Sequence, residues 1–209
     1  MKKVYVFLGL PASGKGTQAQ LFAKKHELVT ISIGELLREK MRLGLDDDLT
    51  MRIREQYNAG QPAGDEDVFV LIKERVAQID SGIVFDNFPF TAGQLKFFRE
   101  TFTPENGWEV PELIYIKIDP ASAIERITKR RICPDCKKIF NEDLEKCDVC
   151  GAKLETRPDD NEETVKNRIG VYQPKIDEMV SAYSEVGPVH EINGELSIPE
   201  VTAQIDNIK

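Results

Sequence analysis

A glycine-rich loop near the start of the chain has the residue types and spacing that bind phosphate. It runs Gly-Leu-Pro-Ala-Ser-Gly-Lys-Gly-Thr over positions 9–17, and its candidate ligands are Gly9, Ser13, Gly14, Lys15, Gly16 and Thr17. Glycines let backbone N–H groups surround phosphate oxygens, the lysine reaches the outer phosphates, and a helix N-terminus adds its positive dipole end. The general motif has Ser or Thr directly after the lysine. Here Gly16 intervenes, which leaves Thr17 to support Mg²⁺. We therefore predict a phosphate-binding loop rather than an ordinary strand–helix turn.

Four cysteines form a second candidate site. Cys133 and Cys136 make one CxxC pair, Cys147 and Cys150 make another, and ten residues separate the pairs. Four thiolates close a tetrahedral site with no open position, which favours a structural Zn²⁺ ion, with iron as the other candidate. A redox CxxC needs one pair beside a βαβ unit rather than two pairs in one segment. A zinc element that binds nucleic acid is the alternative, but acidic residues offset the nearby lysines.

The composition limits what the whole surface can bind. The 209 residues include 28 Lys and Arg against 36 Asp and Glu, a net charge of −8, and 41% are hydrophobic. This composition is typical of a globular protein, and it argues against broad binding to nucleic acid or anionic membranes. An anionic substrate would need a local basic cluster. No apolar run approaches the ~18 residues of a membrane helix, so we expect a cytoplasmic protein without membrane partners.

Five short apolar segments are predicted to be buried strands. They cover Val4–Leu8, Val29–Ser32, 82–88, 113–118 and 189–192. Longer helical patterns separate them, including one with apolar residues at 68, 72, 76 and 79, and one that begins after Asp119 with Pro120. Another starts at Asp160 in capping-box spacing with Glu163. Alternating strands and helices predict an α/β fold with a doubly wound, five-stranded parallel sheet.

Two segments interrupt this alternation. The segment 33–63 is helical and polar, and the segment 129–160 is short, charged and carries the cysteines. We expect both to be insertions on a core formed by 1–32, 64–128 and 161–209. The second insertion has too little apolar area to fold alone, so a bound metal would supply that stability.

The run Gly-Lys-Gly-Thr-Gln at 14–18 resembles the phosphate loop of adenylate kinases and related nucleoside monophosphate kinases. Further motifs extend this resemblance over nearly the whole chain, in order and at matching spacings. The resemblance implies a P-loop core, a helical nucleoside monophosphate (NMP)-binding insertion at 33–63 and a zinc-bearing lid at 129–160. It also implies reversible transfer of the γ-phosphoryl group of MgATP to AMP, giving two ADP, by an enzyme that works as a monomer.

The donor half of the family pattern is complete. By resemblance, Asp86 holds Mg²⁺ through water and Gly194 lies near the donor adenine. Arg126 contacts the donor as well as the transferring group. The residues expected to act in catalysis by surrounding the transferring phosphoryl group are Lys15, Arg126, Arg130, Arg157 and Arg168.

The acceptor half departs from the pattern. Its expected residues are Ile33, Arg38, Ala63, Asn87, Phe90 and Gln94. Arg38 matches the family's acceptor-phosphate arginine, and Gln94 matches the glutamine that binds adenine. Ile33 replaces a threonine, Asn87 a glycine, and Phe90 an arginine that contacts the AMP phosphate. Phenylalanine cannot replace the charge or the bidentate geometry of that arginine.

Three hypotheses follow from the altered acceptor half. The chain is an ATP:AMP phosphotransferase, a kinase for another nucleoside monophosphate, or an ATP-binding relative without catalysis. The retained arginines favour the first, because a protein that only binds ATP would not need them. Lys96 or Arg99 could reach into the position that Phe90 leaves without charge.

Overall fold

A sheet of five parallel strands, in the order β2-β3-β1-β4-β7, forms the centre of the computed structural model. The structure describes residues 1–44, 47–136, 138–140, 144–156 and 162–208. The strands are β1 (Val4–Leu8), β2 (Val29–Ser32), β3 (Ile83–Asp86), β4 (Glu112–Lys117), β5 (Arg131–Ile132), β6 (Ile139–Phe140) and β7 (Val189–Asn193). The helices are α1 (Lys15–Lys25), α2 (Ile33–Arg42), α3 (Asp48–Asn58), α4 (Asp65–Val76), α5 (Ala92–Thr101), α6 (Pro120–Lys129), α7 (Glu162–Tyr183) and α8 (Ile198–Asp206). The predicted fold class is confirmed.

Side chains alternate between the two faces of the sheet, and each face buries its own apolar core. In β1, Val4, Val6 and Leu8 join the core that packs against α2 to α7, whereas Phe7 joins the core under α1 and α8. A strand covered on both faces is apolar along its whole length, which explains the near-continuous hydrophobic runs. Helices on both faces make the sheet doubly wound.

Most strand predictions are confirmed, and the differences lie at the ends. The bounds of β1 and β2 are as predicted. Strand β3 is shorter than the predicted 82–88, because Asn87 has a φ of +67° and ends the extended run after Asp86. Strand β4 begins and ends one residue earlier than predicted, and β7 extends to Asn193.

Helix positions follow local signals where these exist. Helix α6 begins as predicted, because the Asp119 side chain accepts the N–H of Ala121 at 2.8 Å and Pro120 follows. The pattern predicted over 68–79 corresponds to α4, which begins earlier, at Asp65, with acidic residues in its first turn, and ends at Val76, before Ile79. The predicted start of α7 at Asp160 lies outside the described residues.

The two predicted insertions contain different elements. The first holds α2 and α3, and the second holds an antiparallel pair, β5 and β6, that the sequence did not predict. A separate small core of Cys133, Phe140, Cys147 and Leu154 lies in the second insertion. The domain boundaries themselves stay a prediction. Among the described residues, no helix is both long and apolar enough to cross a membrane.

Candidate functional site

A cleft opens beyond the carboxyl ends of β1 and β3, and encloses about 1010 Å³ including space open to solvent. In open parallel α/β sheets, ligands bind at the carboxyl ends of the strands, at the point where the strand order changes direction. In this sheet that point lies beside β1. Ten of the predicted site residues line it: Lys15, Ile33, Arg38, Ala63, Asp86, Asn87, Phe90, Gln94, Arg130 and Arg168. The topology therefore gathers side chains from six regions of the chain around one space.

The glycine loop presents the N-terminus of α1 to this cleft. Gly14 is the N-cap with a φ of +90°, a conformation that glycine adopts without strain, and the first turn of α1 contains no acidic residue. The Lys15 ammonium donates to the carbonyl of Leu10 at 3.3 Å, so the lysine lies along the loop. Gly9 allows close packing, since a Cβ there would lie 2.4 Å from the Ile116 carbonyl oxygen. The loop thus offers a positive helix end and a lysine to an anion.

Asp86 lies at the base of the loop with one carboxylate oxygen to spare. Its Oδ2 accepts the Ser32 hydroxyl at 3.0 Å, whereas its Oδ1 is buried with no hydrogen-bond partner among the described residues. A Cβ on Gly16 would lie 3.2 Å from Oδ2, so the carboxylate and the loop are neighbours. A buried anionic oxygen beside a phosphate-binding loop fits a hydrated divalent cation.

Three arginines face the cleft from different elements. Arg38 forms an ion pair with Glu35 at 2.5 Å. Burial lowers the pKa of Arg38, but the charge and hydrogen bond of Glu35 outweigh burial and raise that pKa above its ordinary value. Arg130 is buried at the end of α6, and the Arg168 guanidinium lies 5.7 Å from the centre of the Tyr172 ring. These residues supply the local basic cluster that an anionic substrate requires in an acidic chain.

Several predicted donor residues do not line the cleft. Arg126 instead pairs with Glu195 at 3.5 Å, and the other oxygen of Glu195 accepts the backbone N–H of Asp119 at 2.7 Å. Gly194 packs tightly against β4, since a Cβ there would lie 2.6 Å from Ile116. Arg157 lies outside the described residues. Ser13 is buried within the glycine loop, and Thr17 is the third residue of α1.

Phe90 forms part of the wall of the cleft. It is buried and packs on Tyr172, with ring centres 4.8 Å apart and planes tilted by 55°. Neither Lys96 nor Arg99 replaces the missing charge, because both line a different cavity between α5 and α7. The ring of Tyr172 therefore lies between Phe90 and the Arg168 guanidinium.

Asn87 keeps the backbone conformation that a glycine would adopt. Its φ of +67° lies in the left-handed region, where an ordinary L-residue costs about 1–2 kcal/mol and asparagine is among the best tolerated. Asparagine, where the resemblance expects glycine, is therefore compatible with the turn after β3. It adds a buried side-chain oxygen that has no hydrogen-bond partner among the described residues.

Gln94 is buried, and its amide is hydrogen-bonded on both sides. Its Oε1 accepts the Phe90 backbone N–H at 2.8 Å, and its Nε2 donates to Asp65 Oδ1 at 3.0 Å. Sequence reasoning did not select Asp65 or Tyr172. Tyr172 had a signal, since it follows Arg168 by four residues and shares its helix face. The contact of Asp65 with Gln94 spans 29 residues and has no such signal.

The four cysteines converge at one point of the second insertion. The Sγ atoms of Cys133 and Cys150 are 3.3 Å apart, those of Cys136 and Cys147 are 3.5 Å apart, and all four lie within 4.8 Å of one another. A tetrahedral ion with 2.3 Å bonds to sulfur needs sulfurs about 3.8 Å apart, so this arrangement fits one ion. The N–H groups of Cys136 and Val149 donate to Sγ atoms at 3.4 Å, which orients the thiolates.

Fold and cleft together define a P-loop nucleotide-binding protein of the α/β class. A family model described as adenylate kinase matches residues 7–188. An adenylate kinase from Petrotoga mobilis is 34% identical over 209 residues, covering 97% of this chain and 95% of the relative. Adenylate kinases from Archaeoglobus fulgidus and Bacillus cytotoxicus are each 32% identical, covering 97% and 96% of this chain and 96% and 95% of the relatives. The chain belongs to the adenylate kinase family, and the resemblance seen in its motifs is confirmed.

The left-handed backbone at Asn87 predicts an unusual order of stabilities. We expect Asn87→Gly to be more stable than Asn87→Ala by about 1 kcal/mol, because only alanine places a Cβ in this conformation. Gly170 in α7 is the control, since a Cβ there meets no atom within 4 Å. Gly170→Ala should therefore stabilise the protein by about 0.5–1 kcal/mol. Denaturant unfolding of the three variants measures these differences, and an Asn87→Ala variant as stable as Asn87→Gly would contradict the assignment.

Proposed function

We propose that the protein is an ATP:AMP phosphotransferase that transfers the γ-phosphoryl group of MgATP to AMP and forms two ADP. The observation that carries this proposal is the single cleft that joins the phosphate loop, the Asp86 carboxylate, three arginines and Gln94. Phosphoryl transfer asks the protein chiefly to position two anions in line and to neutralise charge, and it needs little covalent chemistry. A cationic cleft with a base-reading amide meets that requirement. The relatives are adenylate kinases by name, which supports the same activity.

The donor side would hold the outer phosphates on the loop N–H groups and Lys15. Mg²⁺, when bound, supplies charge neutralisation between the phosphates, and Asp86 and Thr17 are the residues that would hold it. Arg130 and Arg168 would stabilise the negative charge on the transferring group. Arg126 and Arg157 stay proposed members of this set on the strength of the sequence pattern.

The acceptor side would hold AMP between Arg38, Arg168 and Gln94. Arg38 is fixed by Glu35 and would bind the acceptor phosphate, while Gln94 would bind the adenine edge. Ile33, Ala63 and Asn87 would line the nucleoside. Nucleotides are thus the proposed partners, and a monomeric state and a cytoplasmic location stay predictions.

ADP formation from MgATP and AMP tests the proposed activity directly. We expect steady conversion in a coupled assay, and a fall of about 10³-fold in kcat for Arg130→Ala, the scale found for arginines that stabilise transferring phosphoryl groups. Lys129→Ala is the matched control. It removes one positive charge at the residue next to Arg130, and the Lys129 side chain is exposed and pairs with Glu125.

Two outcomes of that assay would contradict the proposal. Unchanged kcat in Arg130→Ala would remove Arg130 from the catalytic set. Activity with another nucleoside monophosphate but none with AMP would show that the altered acceptor half sets a different specificity. Arg130→Lys keeps a buried cation, so it separates loss of transition-state stabilisation from loss of folding.

Phe90→Arg tests the altered acceptor half. We expect a KM for AMP lowered by about tenfold or more, since a hydrogen bond to a charged group contributes about 1.5–3 kcal/mol. The KM for ATP should stay within about twofold. Phe90→Leu is the control, because it removes the ring on Tyr172 without adding charge. Equal KM values for AMP in wild type and Phe90→Arg would place residue 90 away from the acceptor phosphate.

We further propose that the four cysteines hold a structural Zn²⁺ ion. The described part of the insertion has a small core of four buried residues, two of which are cysteines, so metal binding would contribute most of its stability. The chosen metal follows from the donor set, because four thiolates in tetrahedral spacing favour zinc over hard cations.

Metal analysis of the purified chain tests this second proposal. We expect one zinc per chain, near-complete loss of zinc in Cys147→Ser, and a lower Tm after chelation. Lys138→Ala is the control, since its ammonium pairs with Asp148 beside the site but is not a ligand. Bound iron, or a Cys147→Ser variant that retains full zinc, would contradict the assignment.

A further inference from the structure

The amide of Gln94 can adopt only one orientation in this structure. Its Oε1 faces the backbone N–H of Phe90, which can only donate, and its Nε2 faces the carboxylate of Asp65, which can only accept. Rotating the amide by 180° would place its oxygen against the Asp65 carboxylate, two acceptors together, and its NH₂ group against the Phe90 N–H, two donors together. The two neighbours therefore fix which end of the amide carries the oxygen.

Asp65 is itself held in place for this contact. The hydroxyl of Thr91 donates to the same Oδ1 atom at 2.7 Å, and the backbone N–H of Gln94 donates to the Thr91 oxygen at 3.1 Å. Gly93 makes the approach possible, because a Cβ there would lie 2.2 Å from Asp65 Oδ2. Asp65 is absent from the lining of the cleft, whereas Gln94 belongs to it. Any effect of Asp65 on the acceptor thus acts through Gln94.

The fixed amide has one hydrogen-bonding group left on each side. A primary amide has two N–H donors and two oxygen lone pairs, and Asp65 and Phe90 occupy one of each. One lone pair and one N–H remain for a ligand. A 6-aminopurine presents an exocyclic N–H donor beside a ring-nitrogen acceptor. A 6-oxopurine presents the reverse, a carbonyl acceptor beside a ring N–H donor.

We propose that Asp65 is a positioning residue that sets the discrimination between 6-amino and 6-oxo purine acceptors. By fixing the Gln94 amide, Asp65 makes the hydrogen-bonding groups of the cleft complementary to AMP and mismatched to inosine monophosphate (IMP). The two nucleotides differ only at this edge of the purine. Without the Asp65 carboxylate, only the Phe90 N–H opposes rotation of the Gln94 amide, so the amide turns more readily and binds IMP better. The inference rests on the proposed function, since it takes the acceptor to be a purine nucleotide read by Gln94.

The test compares kcat/KM for AMP with kcat/KM for IMP in wild type and two Asp65 variants. Asp65→Asn is nearly isosteric and can donate as well as accept, and Asp65→Ala removes the contact. We expect the AMP-to-IMP ratio to fall by about tenfold or more in both, the scale of one hydrogen bond to a charged group. The KM for ATP should not change. Asp67→Asn is the matched control, since this carboxylate lies two residues along α4, is buried and pairs with Arg52.

Calorimetric binding of AMP and IMP in the absence of ATP separates failure of this inference from failure of the proposed function. A wild type that binds AMP more tightly than IMP but forms no ADP would overturn the proposed reaction. It would still support the positioning of Gln94 by Asp65. An unchanged AMP-to-IMP ratio in a folded Asp65→Asn variant would contradict the positioning role of Asp65. A wild type without preference for AMP would contradict it as well. A ratio that falls equally in Asp67→Asn would assign the effect to α4 as a whole.

Discussion

The site depends on gathering positive charge in a chain whose net charge is −8. Cations that converge on one cleft repel one another, and each must keep its position before an anion arrives. The structure meets this constraint with partners close in sequence. Glu35 lies three residues before Arg38, and the Tyr172 ring lies four residues after Arg168. Each partner shares a helix with its arginine, so the packing of α2 and α7 on the sheet carries the charges into place.

Much of the fold and part of the site could be predicted, because their signals are local. Strands β1 and β2 follow from apolar runs, the start of α6 from Asp119 and Pro120, and the cysteine cluster from two CxxC pairs. The short strands β5 and β6 could not be predicted, since two residues are too few to show a periodic pattern. The ends of strands are also set by backbone geometry, as the φ of Asn87 shows.

Side-chain partners distant in sequence could not be predicted in the same way. Arg126 shares a helix face with position 130 and was expected to join the same site, yet its described contact is Glu195, 69 residues away. The contact between Asp65 and Gln94 likewise depends on how α4 and α5 pack beside the sheet. Spacing along one helix says which residues share a face. It does not say which residue of another element that face will meet.

The departures in the acceptor half differ in their physical consequences. Asn87 has a left-handed backbone that glycine also adopts, so asparagine is compatible with the turn after β3. At position 90, where the resemblance expects a charged arginine, this chain has instead an aromatic ring packed on Tyr172. The Tyr172 ring also contacts the Arg168 guanidinium, and a cation–π contact orients a cation without neutralising it. Phe90 thus brings no charge to the cleft, and it packs on the ring that orients the Arg168 guanidinium. Under the proposed function, the acceptor phosphate would still meet Arg38 and Arg168 in the cleft, so phenylalanine at position 90 is compatible with the family's chemistry.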